Sequence, residues 1–283
     1  IEQHVAPAIG DIPLNKLTTR DLQKLYNDLQ SNGRLRKVQK KKKPGLSNST
    51  VRGIHMMLHN ALDRAVKEKL ILTNPTENCI IPKIEKQEMK ILHPDHISAY
   101  LDAAEQRGAL PMFYLELVSG LRKGELTALL WSDLDITDKT ISVSKQYVKN
   151  PNGELTLSRP KTETSVRKVS IPQEAVDLLV AEHKKHPDNP YMFPSPKTGT
   201  MYDPDAFRRT HDKILKAIGA EHIRFHDLRH TCASLLVSLD VNMKVIQKYL
   251  GHSNMSTTAD IYSHLDANAT GEAGMKLGKL LSD

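Results

Sequence analysis

Apolar positions recur every three or four residues through most of the chain and alternate only in its middle, which predicts helices flanking a short run of strands. In "LTTRDLQKLYNDLQSNG", Leu22, Leu25, Tyr26 and Leu29 form one stripe, Thr18 or Thr19 is placed to cap, and Asn32-Gly33 to stop the helix. A second helix is predicted from about Thr50 to Leu70, with Val51, Ile54, Met57, Leu58, Ala61, Leu62 and Ala65 on one side. Between them "RLRKVQKKKKPGLSNST" reads as a basic loop. The periodicity fails in "LTNPTENCIIPKIEKQEMKIL", which carries prolines and charges and marks a linker.

Helical pattern returns in "HPDHISAYLDAAEQRG", where Asp95 is available as a cap. "LPMFYLELVSG" follows as a buried helix stopped at Gly120, and "LRKGELTALLWSDL" as another helix. "KTISVSKQYV", "ELTLSRPK" and "SVRKVSIP" alternate as strands joined by Asn152-Gly153 and a polar turn, and helices resume at Gln173. The fold expected is mainly α with a small antiparallel β-sheet, in two domains. Residues 1–82 form a helical domain, 83–91 a linker, and 92–283 an α+β domain with a tail at 266–283. No internal repeat is evident.

A length of 283 residues suits two domains, and 39% hydrophobic with 26% charged residues is ordinary for a globular chain. No apolar run approaches a membrane span and no signal peptide opens the sequence, so a cytoplasmic protein without a membrane partner is expected. Cys79 and Cys232 are far apart and lack metal-ligand spacing, which fits a reducing compartment. The chain starts at Ile1 inside helical-looking sequence, as a fragment of a longer protein would. Its net charge of +7 is uneven: residues 1–90 hold 17 Lys/Arg against 9 Asp/Glu, and the remainder 23 against 24. A polyanion surface is therefore expected on the first third, with Lys40, Lys41, Lys42 and Lys43 in the loop and Arg52 on the next helix as candidate DNA contacts. A solvated lysine loop is the plain alternative.

One constellation stands out. In "HDLRHTCASLL", Leu228, Cys232, Leu235 and Leu239 share a face that should enter the core, while His226, Arg229 and His230 fall on the opposite side at a helix N-terminus that favours an anion. A polar surface is the structural alternative. His226 and His230 also have the spacing of zinc-binding helices, but Asp227 stands where HExxH needs glutamate, and Arg229 sets a fixed charge beside the cation. No metal is expected. Further on, Val245, Ile246, Tyr249 and Leu250 line one side of a helix that Gly251 can end in a left-handed cap, directly before His252. In "TTADIYSHL", Ile261 and Leu265 point inward and Tyr262 is offset from them, either packing or facing a cleft.

"SGLRKGEL", "HDLRHT", "LGHSN" and "TTADIYSHL", in that order, resemble the motifs of the tyrosine recombinases, the phage and transposon integrases. The opening "HVAPAIGDIPLNKLTTRDLQ" is similar to the core-binding domain of mobile-element integrases. The resemblance implies a core-binding domain followed by a catalytic domain. It implies that Arg122, Lys161, His226, Arg229 and His252 are catalytic, that Tyr262 is the nucleophile, and that Glu125 is the acidic neighbour of Arg122. Lys161 lies in the hairpin "RPKTETSVRKVSIP", with Lys168 nearby.

The implied chemistry is transesterification at a DNA phosphodiester. The tyrosine oxygen attacks phosphorus, the 5′-hydroxyl leaves, and a 3′-phosphotyrosyl bond keeps the energy for a second 5′-hydroxyl to reverse the step. Arginines suit the phosphoryl charge because they do not titrate near neutral pH. Tyrosine, with a pKa of about 10, needs a base or a cationic pocket, for which His226 is placed. Lys161 suits protonation of the leaving alkoxide and His252 a hydrogen bond to the phosphate. No cofactor is implied, and activity in EDTA is expected. The implied partners are double-stranded attachment sites, a homotetramer on DNA and an accessory DNA-bending or excision factor; the tail with Met275, Leu277, Leu280 and Leu281 docks in cis or on a neighbour. A type IB topoisomerase-like enzyme and a catalytically silent DNA-binding regulator are the alternatives. The integrase-like start opposes the first, and intact Arg122, Arg229 and Tyr262 oppose the second.

Overall fold

The computed structural model describes residues 1–35, 44–84, 89–150, 152–158 and 166–251. Contacts divide the chain into two units, Ile1–Gln87 and Glu88–Asp283.

The first unit is helical. After a short helix α1 (Ala6–Ile9), α2 (Thr19–Asn32) opens with a capping box in which Thr18 and Asp21 satisfy each other's backbone N–H. Its stripe of Leu22, Leu25, Tyr26 and Leu29 is buried against α3 (Asn48–Lys67), as the periodicity predicts. On α3, Val51, Leu62 and Ala65 are buried, whereas Ala61 is exposed. His55 enters this core because its Nδ1 bonds the Tyr26 hydroxyl at 3.2 Å. Arg52 lies on the exposed side of α3.

The second unit packs helices around a small sheet. Helices α4 (Ile97–Glu105) and α5 (Leu110–Ser119) lead to α6 (Lys123–Leu126), followed by strands β1 (Leu134–Asp135), β2 (Thr140–Val143), β3 (Gln146–Lys149), β4 (Leu155–Ser158) and β5 (Arg167–Ser170). Helices α7 (Gln173–His183), α8 (Pro204–Ala217), α9 (Asp227–Ser238) and α10 (Met243–Leu250) follow. Phe113, Leu121, Ile141, Val169, Leu179, Phe207 and Leu228 meet in the core. Within it the Tyr100 hydroxyl is 2.7 Å from His211 Nδ1, whose Nε2 is 3.0 Å from the Ile223 carbonyl. Since that carbonyl only accepts, Nε2 carries the proton and the tyrosine donates.

Four sequence expectations change. "LRKGELTALLWSDL" does not form one helix: α6 ends at Leu126, because the backbone beyond it pairs elsewhere. Trp131 N donates to the Pro190 carbonyl at 3.1 Å, Met192 N to Leu129 at 3.0 Å, and Asp133 caps Leu130 N at 2.8 Å. The strands form two antiparallel sheets, β1-β2-β5 and the hairpin β3-β4, so "KTISVSKQYV" divides between them. Asp95 caps nothing; its carboxylate pairs with His93 at 3.2 Å. Finally, the Leu228–Cys232 face of α9 is buried only at its start. Leu239 is 73% exposed because the helix end leaves the core.

Candidate functional site

The site is built where the ends of α5 and α10 meet the starts of α6 and α9. Gly120 closes α5 at φ 57 and Gly251 closes α10 at φ 68, both left-handed, a conformation glycine adopts without strain. These turns leave helix-end carbonyls that need donors.

Arg122 stands at the N-cap of α6 in extended conformation. Its Nη1 donates to Glu125 Oε1 at 2.7 Å, its backbone N–H to Oε2 at 2.9 Å, and its Nη2 to the Gly251 carbonyl at 3.0 Å. The side chain remains 33% exposed, while the Glu125 side chain is 1% exposed. Arg167, at the head of β5, reaches the same carboxylate with Nη2 at 3.1 Å and Nη1 at 3.4 Å, and gives Nε to the Tyr249 carbonyl at 3.0 Å. Burial alone would raise the Glu125 pKa; the Arg167 and Arg122 charges and hydrogen bonds overcome it and hold the carboxyl below its ordinary value.

Arg229 is not on a polar surface, as the helical wheel of α9 suggests, but 1% exposed. Nη1 donates to the Gly120 carbonyl at 2.8 Å and Nη2 to the Leu250 carbonyl at 2.6 Å. The polar flank of α9 is covered by the ends of α5 and α10, whose carbonyls give the guanidinium its partners. Burial, then the Arg122 and Arg167 charges, lowers its pKa to about 10, which leaves it protonated at neutral pH.

His226 is the N-cap of α9 and retains solvent access. Its pKa falls to about 4 through desolvation, then His230 and Arg229, so the imidazole is neutral at pH 7. His230 meets it edge to face, with ring centroids 5.2 Å apart, and its own pKa is lowered chiefly by burial. Asp227 at the start of α9 binds Arg224 at 2.8 Å and caps its backbone N–H at 2.7 Å, which suits a carboxylate at a helix N-terminus. Among the described residues no group of three or more His, Cys, Asp or Glu could hold a metal.

Lys161, His252, Tyr262 and Lys40, Lys41, Lys42 and Lys43 lie outside the described residues. The structure thus brings together Arg122, Arg229 and His226 of the expected catalytic set. It adds two residues that sequence reasoning missed. Arg167 sits beside Lys168, and its neighbouring lysines drew attention to the hairpin without separating it from them. Glu116 is completely buried in α5; neither carboxylate oxygen has a hydrogen-bond partner among the described residues, and burial pushes its pKa well up despite the Arg229 charge. Beside the cluster, a groove of about 660 Å³ between β5 and α10 is lined by Arg167, Lys168, Lys244 and Lys248. The arrangement presents fixed cations, a neutral imidazole and a helix N-terminus, a combination suited to a phosphoryl anion.

The phage integrase family matches residues 85–269, and the phage integrase N-terminal SAM-like domain matches residues 1–30. The ICEBs1 integrase of Bacillus subtilis (strain 168) is 29% identical over 294 residues, covering 99% of this chain and 76% of that protein. A tyrosine recombinase XerC-like protein of Caldanaerobacter subterraneus subsp. tengcongensis is 28% identical over 274 residues, covering 86% of this chain and 66% of its own length. In fold, the Tn1549 transposon integrase in complex with a circular intermediate DNA matches with a TM-score of 0.79 at 20% identity, covering 94% and 87% of the two chains. A lambda integrase tetramer bound to a Holliday junction matches with a TM-score of 0.62 at 19% identity, covering 90% and 67%. The chain belongs to the phage integrase family and is a tyrosine site-specific recombinase.

Proposed function

We propose that the cluster around Glu125 is the phosphate-binding half of the active site. In this reading the chain cuts and rejoins duplex DNA for integration or excision of a mobile element, through a 3′-phosphotyrosyl bond at Tyr262. The observation that carries the proposal is the partly open Arg122 guanidinium, anchored on buried Glu125 beside buried Arg229. Arg122 takes a non-bridging oxygen; Arg229 holds the ends of α5 and α10 and adds positive potential behind the phosphorus. His226, neutral at pH 7, accepts the phenolic proton, Lys161 protonates the leaving 5′-oxygen and His252 donates to the phosphate. The cationic groups replace clustered carboxylates and their metals, so strand cleavage should persist in EDTA.

Each unit supplies candidate phosphate contacts of its own: Lys40 to Lys43 and Arg52 in the core-binding unit, and Lys244 and Lys248 in the β5–α10 groove of the other, which makes binding strongly salt-dependent. Residues 1–82 act as the core-binding domain, 83–91 as the linker and 92–283 as the catalytic domain. The DNA-bound integrases of similar fold support double-stranded attachment sites as the substrate, and the lambda tetramer supports a homotetramer on DNA. An accessory DNA-bending or excision factor and action in the cytoplasm, on the nucleoid, complete the reading. Among the described residues no helix is long and apolar enough to cross a membrane.

The test is a suicide substrate nicked beside the scissile phosphate. A covalent protein–DNA adduct that disappears in Tyr262→Phe supports the proposal, and ligation of a foreign strand separates recombination from topoisomerase-like relaxation. Binding without attachment by the unaltered chain would leave the silent regulator.

A further inference from the structure

Three successive carbonyls at the C-terminal end of α10 each accept from a different arginine. Tyr249 takes Arg167 Nε at 3.0 Å, Leu250 takes Arg229 Nη2 at 2.6 Å, and Gly251 takes Arg122 Nη2 at 3.0 Å. Such carbonyls lack intrahelical partners and carry the negative end of the helix dipole, so fixed cations are suited to them. The three donors come from different places: the head of β5, the first turn of α9 and the N-cap of α6. The Tyr249 hydroxyl reinforces the docking, lying 2.7 Å from the Val118 carbonyl and 2.8 Å from that of Ser170. At Gly251 an added Cβ would lie 3.0 Å from Arg167 Cδ and Nη1, so the guanidinium passes directly beneath the turn.

Arg167 is the member of the trio that no motif marks. Its side chain is only 6% exposed, so it offers little surface to a substrate. It nevertheless joins two parts of the site: it forks onto Glu125, which grips Arg122 by both side chain and backbone, and it holds the helix end that runs directly into His252.

We propose that Arg167 is a positioning residue for the recombinase reaction. Through Glu125 it fixes the guanidinium of Arg122, and through the Tyr249 carbonyl it fixes the end of α10. The substrate-facing arginine and the last turn of α10 are thereby held in one register. The proposal rests on the active-site reading above. It requires a planar fork with a third donor, a geometry that arginine has and lysine lacks.

The experiment compares Arg167→Lys and Arg167→Met with the unaltered chain. Four quantities are measured: the rate of adduct formation on saturating nicked DNA, the affinity for that DNA, the melting temperature, and amide hydrogen exchange across residues 243–251. A positioning role predicts that Arg167→Lys recovers most of the melting temperature lost in Arg167→Met. Both variants should cleave at least tenfold more slowly at unchanged DNA affinity, and both should lose exchange protection at the end of α10. If Arg167→Lys restores rate and stability together, Arg167 merely neutralises Glu125 and the proposal fails. If the unaltered chain forms no adduct, the active-site reading fails instead. The exchange then decides alone: lost protection in both variants supports the positioning role, and unchanged protection overturns it.

Discussion

Arg229 Nη2 lies 2.6 Å from the carbonyl of Leu250, so a guanidinium expected to serve the substrate also holds the end of α10. Arg122 differs: it is one-third exposed, and its anchor Glu125 retains Arg167 when Arg122 is removed. The two arginines should therefore fail in different ways. Arg229→Ala leaves the Gly120 and Leu250 carbonyls without that donor in the interior, and should cost about 3 kcal/mol or more of stability together with cleavage. Arg122→Ala should cost about 1 kcal/mol and still lower the rate of adduct formation by roughly 10²–10³. Thermal unfolding read beside the nicked-substrate assay checks the contrast; equal melting temperatures for the two variants would contradict it.

Glu125→Gln removes the anion shared by Arg122 and Arg167, and should destabilise the chain by about 3–5 kcal/mol near neutral pH. The sign of its pH dependence follows from the depressed carboxyl pKa. The native state holds the ionised form more tightly than the unfolded chain does, so the stabilisation is fully present above the ordinary value of 4.5. It is lost as pH falls through the lower folded value. Urea unfolding of both proteins from neutral pH into acid should show their difference narrowing below about pH 4.5.

The parts of this site governed by local chemistry were legible in the sequence. Gly120 and Gly251 end their helices in left-handed caps, as their positions predict, and Glu125, which the family resemblance marks as the acidic neighbour of Arg122, binds it at 2.7 Å. These features need only a few neighbouring residues. What was hidden depends on distant ones. Arg229 sits on the polar side of its own helix, and only the ends of α5 and α10 make that side interior. The helix expected over residues 121–134 stops because residues 190–192 capture its backbone, a pairing that no local period announces. Arg167 carries no signal apart from its lysine-rich surroundings, since its importance lies in contacts with residues 125 and 249.

Gly120→Ala tests how tightly the arginine seat is packed. The residue has φ 57, and an added Cβ would lie 2.5 Å from Leu250 Cδ2 and 3.2 Å from Cys232 Sγ. Left-handed backbone costs an alanine roughly 1–2 kcal/mol before any clash. The methyl also pushes Leu250, whose carbonyl binds Arg229, away from the residue whose own carbonyl binds the other guanidinium nitrogen. Melting temperature and adduct formation should fall together. A variant of unaltered melting temperature would show that the two helix ends have room to separate.

In the proposed mechanism the proton acceptor His226 should set the pH dependence of cleavage. Its imidazole, depressed to about 4 by desolvation and the neighbouring His230 and Arg229, stays neutral where an ordinary histidine becomes charged. A proton acceptor must be in that form, so protonation of His226 should not slow cleavage by the free enzyme until well below the ordinary value of 6.5. Folding follows the same sign. Between about pH 6.5 and 4 the unfolded chain binds a proton at this position that the folded chain refuses, so stability declines as pH falls through that window. His226→Asn should flatten that decline while abolishing most adduct formation at neutral pH. Histidine ring NMR checks the premise directly: a His226 resonance titrating at or above 6.5 would remove the depressed imidazole, and with it the predicted tolerance of cleavage to mild acid.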